Sequence, residues 1–209
     1  MGIALHPDLD PIHRPEDWDR LYQREGVERL PWTVQDLDPD VAAALDRVQL
    51  TGRLLDLGTG LGTQAIALAR RGLTVIGTDI SHAAIAAARE RAAGEGITVE
   101  FRQDDILGSL LDGGFDGILD RGCFHAIDPA SRVAYCAAVC RLLQPGGWLF
   151  LKAFSYMEED AEGPYRFTRA EICQLFEPSF EIVAIADTVF QGTLEPPPQA
   201  LFCVLRRQG

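Results

Sequence analysis

The stretch Arg53-Leu54-Leu55-Asp56-Leu57-Gly58-Thr59-Gly60-Leu61-Gly62-Thr63 decides the fold. A short apolar run ends in a glycine turn and continues into an Ala- and Leu-rich helical pattern, Thr63–Arg71. Glycines at 58, 60 and 62 let the backbone turn sharply and approach a ligand closely. A dinucleotide fingerprint would read G-x-G-x-x-G, but Thr63 makes the spacing G-x-G-x-G. A Walker loop would place a lysine after its last glycine, and there is none in this turn. Both phosphate readings are weakened, and a plain tight connection remains an alternative. Asp56 sits inside the apolar strand end. A carboxylate there suits a ligand carrying an ammonium group, met directly or through water.

Outward from this turn, short β-rich runs alternate with Ala-rich helical runs. Strands are expected at Arg53–Leu57, Leu73–Thr78, Thr98–Arg102, Phe115–Leu119 and Trp148–Ala153, with Phe180–Ala186 and Leu201–Arg206 closing the chain. Helices are expected from Ser81 to Ala93, from Asp128-Pro129 to Gln144, where Pro145-Gly146-Gly147 stops it, and over Thr168–Phe176, whose Thr168 and Glu171 have capping-box form. The last two strands have no helix between them and should pair antiparallel. Ahead of the first strand, Pro15–Arg24 and Asp38-Pro39 through Val48 read as helices of an N-terminal cap, residues 1–50. The expectation is one α/β domain over residues 1–209, a doubly wound, seven-stranded, mostly parallel sheet. In such sheets ligands lie beyond the carboxyl ends of the strands.

Those strand ends carry acids. Asp79 ends strand two, 21 residues past Gly58, near the spacing at which a carboxylate accepts from ribose hydroxyls. The alternative is a helix-dipole partner for the Ser81 helix. Strand three ends Gln103-Asp104-Asp105-Ile106. A carboxylate here can accept from an adenine amino group with Ile106 flanking the ring, and of the two acids Asp105 is favoured.

This series resembles the class I S-adenosylmethionine-dependent methyltransferases: D-x-G-x-G-x-G, an acid ending strand two, Asp-Ile ending strand three, and Leu143-Gln144-Pro145-Gly146-Gly147 before strand five. The resemblance covers residues 50–155. It implies a Rossmann-like methyltransferase fold and S-adenosyl-L-methionine as cofactor. Asp56, Gly58, Thr59, Gly60 and Gly62 would cradle it, Asp79 with Ile80 would hold the ribose, and Asp104 or Asp105 with Ile106 would meet the adenine, Asp120 completing the site.

Strand four reads on as Asp120-Arg121-Gly122-Cys123-Phe124-His125, which resembles the strand-four ending of the thiopurine methyltransferase-like group. Trp18-Asp19-Arg20-Leu21-Tyr22 and Pro31-Trp32 resemble that group's N-terminal segment, which closes over the cofactor. The resemblance implies that Trp18 and Tyr22 touch the cofactor and that Trp32 lies near the acceptor; ordinary packing is the alternative. Cys123-Phe124-His125 departs from that group's wording. The implied reaction is in-line methyl transfer to a small molecule, a thiol or other soft nucleophile. An O- or N-methyltransferase of a small metabolite is the runner-up, followed by a non-catalytic cofactor binder; Thr63 disfavours a nicotinamide oxidoreductase. Alignment alone can supply roughly 7–11 kcal/mol of such a barrier. A thiolate acceptor needs little base catalysis, whereas a hydroxyl needs a general base.

Asp120, Arg121 and His125 are the catalytic candidates. Arg121 can stabilise an anionic acceptor or form a structural ion pair. His125, with an ordinary pKa of about 6.5, can be a base or a capping group. Cys123 can be a thiol at the acceptor or a small buried side chain. Tyr156 and Tyr165 can line the acceptor pocket or pack the scaffold. Cys136 and Cys140 share a helix face without a histidine, so they read as core, as do Cys173 and Cys203, and no metal is expected.

Composition narrows the partners. Hydrophobic residues at 47% and charged residues at 24% describe a globular chain, not a disordered or fibrous one. The net charge of −12 would repel nucleic acid. Residues 1–40 hold ten acids against four arginines, a solvated acidic face or a lid that favours cationic ligands. Lys152 is the only lysine. No apolar run reaches the ~18 residues of a membrane span, and Met1–Asp8 lacks secretory-signal character. Five cysteines without a close-set framework suggest a reducing, cytoplasmic setting.

Overall fold

Helices α1 (Pro15–Tyr22), α2 (Pro39–Val48), α3 (Thr63–Arg70), α4 (His82–Gly94), α5 (Arg132–Leu142) and α6 (Arg169–Phe176) surround seven strands. These are β1 (Arg53–Leu57), β2 (Thr74–Asp79), β3 (Glu100–Gln103), β4 (Phe115–Arg121), β5 (Leu143–Phe154), β6 (Phe180–Val189) and β7 (Gln199–Arg207). The computed structural model describes residues 14–24, 29–158 and 164–209, so Met1–Asp8 and residues 25–28 of the expected cap lie outside the described residues.

The sheet order is β3-β2-β1-β4-β5-β7-β6, with β7 antiparallel between β5 and β6. The order reverses between β1 and β4, so the crevice beyond those two strand ends is where a ligand is expected. Side-chain alternation along each strand builds two cores. Leu55, Ile118, Leu149, Leu151 and Cys203 face α5 and α6 with Phe124, Tyr135 and Phe176. Leu54, Leu119, Phe150 and Phe202 face α2, α3 and α4 with Val41, Ala65 and Ile85.

Boundaries shift where tertiary pairing outweighs local signals. The expected β5 start at Trp148 moves back to Leu143, because Leu143 pairs with Phe115 and a register shift takes up the residues before Trp148. Gly147 is needed there: a Cβ would lie 2.9 Å from the Gln144 carbonyl oxygen. β4 runs two residues past Leu119, because Asp120 and Arg121 pair with Leu151 and Lys152. A 3-10 turn, Pro129–Ser131, occupies the expected first turn of α5, with Asp128 accepting from Ala130 N–H. Cys136 and Cys203 are buried in the core, whereas Cys173 is half-buried on α6.

Candidate functional site

The glycine turn is held from below by two acids. Asp56 Oδ2 accepts from Thr59 Oγ1 at 2.6 Å and from Ala65 N–H at 3.1 Å, and Oδ1 carries no bond among the described residues. Asp79 accepts from Gly60 N–H and Ser81 N–H, both at 2.9 Å, so the acid proposed for a ligand also fixes the turn. Burial pushes both carboxyls up to about 6, against those hydrogen bonds. Ile80 stands half-buried beside Asp79, and its carbonyl accepts from Gln103 Nε2.

The three glycines serve different ends. Gly58 lies against Cys123, whose Cβ would be 3.0 Å from an added Cβ. Gly60, at φ +53°, lies under the Tyr22 hydroxyl, which would be 2.8 Å from an added Cβ. Gly62, at φ +75°, caps α3, and an added Cβ would meet Phe101 at 2.9 Å and Ala88 at 3.0 Å. Gly62, expected in the cradle, is therefore a close-packing residue between α4 and the sheet.

At strand three, Asp105 is exposed and accepts from Leu107 N–H at 2.9 Å, capping the turn that follows. Asp104 is half-buried, and its Oδ2 is a buried acceptor with no partner among the described residues. An orphaned acceptor at a strand end is what an amino donor of a ligand would satisfy. The geometry therefore favours Asp104 over the expected Asp105. Ile106, expected to flank the ring, is buried in the core on the α5 side of the sheet.

α1 lies across the crevice. Asp19 Oδ1 accepts from Ser81 Oγ at 2.7 Å and Ala83 N–H at 3.0 Å, pinning α1 to the start of α4. Tyr22 is buried over Gly60, Trp18 stacks on Tyr22 at 6.4 Å, and Trp18 meets Trp32 edge-on at 6.1 Å. Trp18, Tyr22 and Trp32 thus form one aromatic cluster above the turn.

Asp120 and Arg121 leave β4 on opposite faces. Asp120 is wholly buried and accepts from the N–H groups of Gly122, Cys123 and Phe124 and from Tyr135 Oη at 2.5 Å. Burial raises its pKa to about 6 against these bonds. It shapes the turn and is too encumbered to act as a base at the strand mouth. Arg121 points toward the segment before α2. Its Nε donates to Asp38 Oδ2 at 2.8 Å, Nη1 to the Trp32 carbonyl at 3.0 Å, and Nη2 to the Gln191 carbonyl at 2.5 Å. Of its two expected roles, the geometry favours the structural pair.

His125 stacks on Phe154 at 4.5 Å and meets Phe190 edge-on at 5.5 Å. Its Nδ1 accepts from Phe154 N–H at 3.3 Å, which assigns the proton to Nε2, beside Gly122. Burial, with the nearby charges of Arg121 and Arg166, lowers its pKa to about 3. Of its expected roles, the lowered pKa favours a neutral imidazole with Nε2–H as a donor over a base. The Cys123 thiol is pushed well up by burial and by Asp120 and Asp79, so it stays protonated beside Gly58. Tyr156 is exposed, and Tyr165 lies under Arg132 at 3.7 Å and donates to Glu171 at 2.6 Å, so neither joins the wall of His125, Phe154 and Phe190. A hydroxyl donor and an arginine explain Tyr165 as a scaffold contact.

Several residues of this site escaped the sequence reading. Lys152 is fully buried and donates to Asp38, Asp40 and Gln191 Oε1. A lone lysine in the apolar strand Trp148–Phe154 was the available signal, because a buried cation requires an anion. Phe190 and Gln191 carried no signal in their loop.

A family model described as methyltransferase domain matches residues 54–147. The 2-heptyl-1-hydroxyquinolin-4(1H)-one methyltransferase of Mycobacteroides abscessus is 30% identical over 166 residues, 76% of this chain and 73% of that protein. The ubiquinone biosynthesis O-methyltransferase of Pseudomonas aeruginosa is 34% identical over 143 residues, 66% of this chain but only 57% of that protein. A solved structure described as the conversion of a disulfide bond into a thioacetal group during echinomycin biosynthesis is 25% identical, with TM-score 0.82, covering 94% of this chain and 92% of that one.

Proposed function

The chain belongs to the S-adenosylmethionine-dependent methyltransferases acting on small molecules, and we propose that its acceptor is a flat aromatic compound whose nucleophile is already ionised near neutral pH. An aromatic thiolate or an acidic hydroxyl has that character. A thiol acceptor agrees with the resemblance of Asp120-Arg121-Gly122 to the thiopurine methyltransferase-like group, and an acidic hydroxyl with the similarity to the 2-heptyl-1-hydroxyquinolin-4(1H)-one methyltransferase.

The cofactor fits this crevice: Asp104 Oδ2 is a buried acceptor without a partner among the described residues, suited to the adenine amino group, and Asp56 makes its bonds to the turn through Oδ2. Asp79 would accept from the ribose hydroxyls, and Asp56 would face the ammonium group. When bound, S-adenosylmethionine supplies an electrophilic methyl on its sulfonium, taken by in-line displacement. Trp18, Tyr22 and Trp32 exclude water above the crevice, and exclusion of water strengthens the electrostatics within it.

One observation carries the acceptor class. His125, the residue best placed to take a proton, is held near pKa 3 and presents a neutral Nε2–H. A group that weak as a base suits a nucleophile that brings its own charge. The Nε2–H can donate to that charge and orient it, and the packed rings of His125, Phe154 and Phe190 give an aromatic acceptor an apolar edge to lie against. The test is methyl transfer from labelled cofactor to 2-heptyl-1-hydroxyquinolin-4(1H)-one and to aromatic thiols of different acidity, followed against pH. The rising limb of kcat/KM should move with the acceptor's own pKa. A limb fixed in pH whatever the acceptor, or a preference for neutral amines and weakly acidic phenols, would overturn the proposal.

A further inference from the structure

We infer that Arg121 and Lys152 are positioning residues for the acceptor, tying Trp32 of the cap and Gln191 of the β6–β7 loop into a single gate over the acceptor wall. The functional part of this inference rests on the acceptor reading above.

The cluster consists of two cations and two anions from four parts of the chain. Arg121 ends β4, Lys152 lies on β5, and Asp38 and Asp40 flank the start of α2. The Arg121 and Lys152 side chains are 6% and 0% exposed, and that of Asp38 is 0% exposed. Lys152 Nζ reaches Asp38 Oδ2 at 2.8 Å, Asp40 Oδ2 at 2.7 Å and Gln191 Oε1 at 2.8 Å. Burial alone would raise the Asp38 pKa, but Lys152 and Arg121 hold it below the usual carboxylate range. The charges neutralise one another inside the cluster, so neither cation is left to face an acceptor.

The neutral contacts reveal the purpose. A guanidinium is a planar fork, able to grip two carbonyls at once. Arg121 spends its two Nη groups on the backbone of Trp32 and of Gln191, which lie on different segments. Gln191 is held twice, by its carbonyl and by its side-chain oxygen. Thr188 Oγ1 donates to Asp40 at 2.7 Å, and Thr193 N–H donates to the Pro31 carbonyl at 3.1 Å, so cap and loop are also joined directly. Phe190, next to Gln191, stands against both His125 and Phe154, and the Arg121 guanidinium lies 5.5 Å from its ring. Holding Gln191 fixes Phe190 against His125 and Phe154, and holding Trp32 fixes the aromatic cluster it makes with Trp18.

Arg121→Lys tests this. The lysine keeps a cation opposite Asp38 but cannot grip both carbonyls. Hydrogen–deuterium exchange of the ligand-free protein should quicken about tenfold in residues 29–38 and 189–199 together, as loss of one or two hydrogen bonds predicts, with β1 and α4 unchanged. KM for 2-heptyl-1-hydroxyquinolin-4(1H)-one should rise by a similar factor while the cofactor Kd stays within about twofold. Should Arg121→Lys not fold, Gln191→Met removes the amide oxygen that Lys152 grips and should loosen the same two segments together. Quickening of one segment alone, or equal quickening throughout the sheet, overturns the gate. A rate loss confined to anionic acceptors, with neutral analogues of the same shape unaffected, reassigns Arg121 to direct acceptor contact. If no acceptor is turned over, the exchange arm still decides the coupling, so failure of the acceptor reading is distinguishable from failure of the gate.

Discussion

Asp104→Ala should weaken cofactor binding without weakening the ligand-free protein. In the free protein Asp104 Oδ2 is buried with no donor among the described residues, and such an orphaned acceptor costs about 1–3 kcal/mol. Removing it relieves that cost, so the midpoint of thermal unfolding should hold or rise. A charged acceptor bonded to the adenine amino group is worth about 1.5–3 kcal/mol, so the Kd should rise by about 10- to 150-fold. Asp105→Ala makes the contrasting control. It removes the acceptor of the Leu107 N–H, a cap-like loss of about 0.5–2 kcal/mol in stability, while the Kd should change little. Calorimetric titration with S-adenosylhomocysteine and thermal melts of both variants supply the four numbers. A larger Kd change for Asp105→Ala than for Asp104→Ala would refute the assignment, as would an unchanged Kd for Asp104→Ala.

Lys152→Met should cost about 3–5 kcal/mol in urea unfolding, because the buried Asp38 is left under-compensated and the half-buried Asp40 loses its cation. Asp19→Ala should cost about 1 kcal/mol and speed amide exchange in α1, since Ser81 and Ala83 lose their acceptor; unchanged exchange there would separate α1 from that contact. Asp56, Asp79 and Asp120 have carboxyls raised to about 6, so the native state binds more protons than the unfolded state between about pH 4 and 6. Their contribution to stability is present below that window and is lost as pH rises through it. His125, lowered to about 3, acts in the opposite sense, because its neutral form is favoured in the fold and stability falls as pH drops below its unfolded value. Melting temperatures of the ligand-free protein should therefore fall from about pH 4 to 6, and fall more steeply in His125→Phe; a rise over that interval would contradict the raised carboxyls.

The cofactor half of the site was legible because its signals are local. The glycine turn, Asp56 and Asp79 lie at fixed offsets from strand ends, and backbone geometry at a strand-to-helix turn depends on neighbours in sequence. The choice between Asp104 and Asp105 was not legible: Asp105 is taken up in capping the turn over Ile106–Gly108, whereas Asp104 Oδ2 is left without a partner among the described residues. The acceptor half was less legible. Arg121 and His125 have side chains whose roles are assigned by partners dozens of residues away, Asp38 and Phe154.

By itself the sequence determined the alternating strands and helices, the antiparallel closing pair and the acids at the crevice, since periodicity, turn chemistry and strand-end position act over short stretches of chain. Only the tertiary structure decided which charges are free. Burial and long-range pairing turned Lys152, Arg121 and Asp120 inward and stripped His125 of its basicity, because desolvation is a property of the packed surroundings and not of the residue.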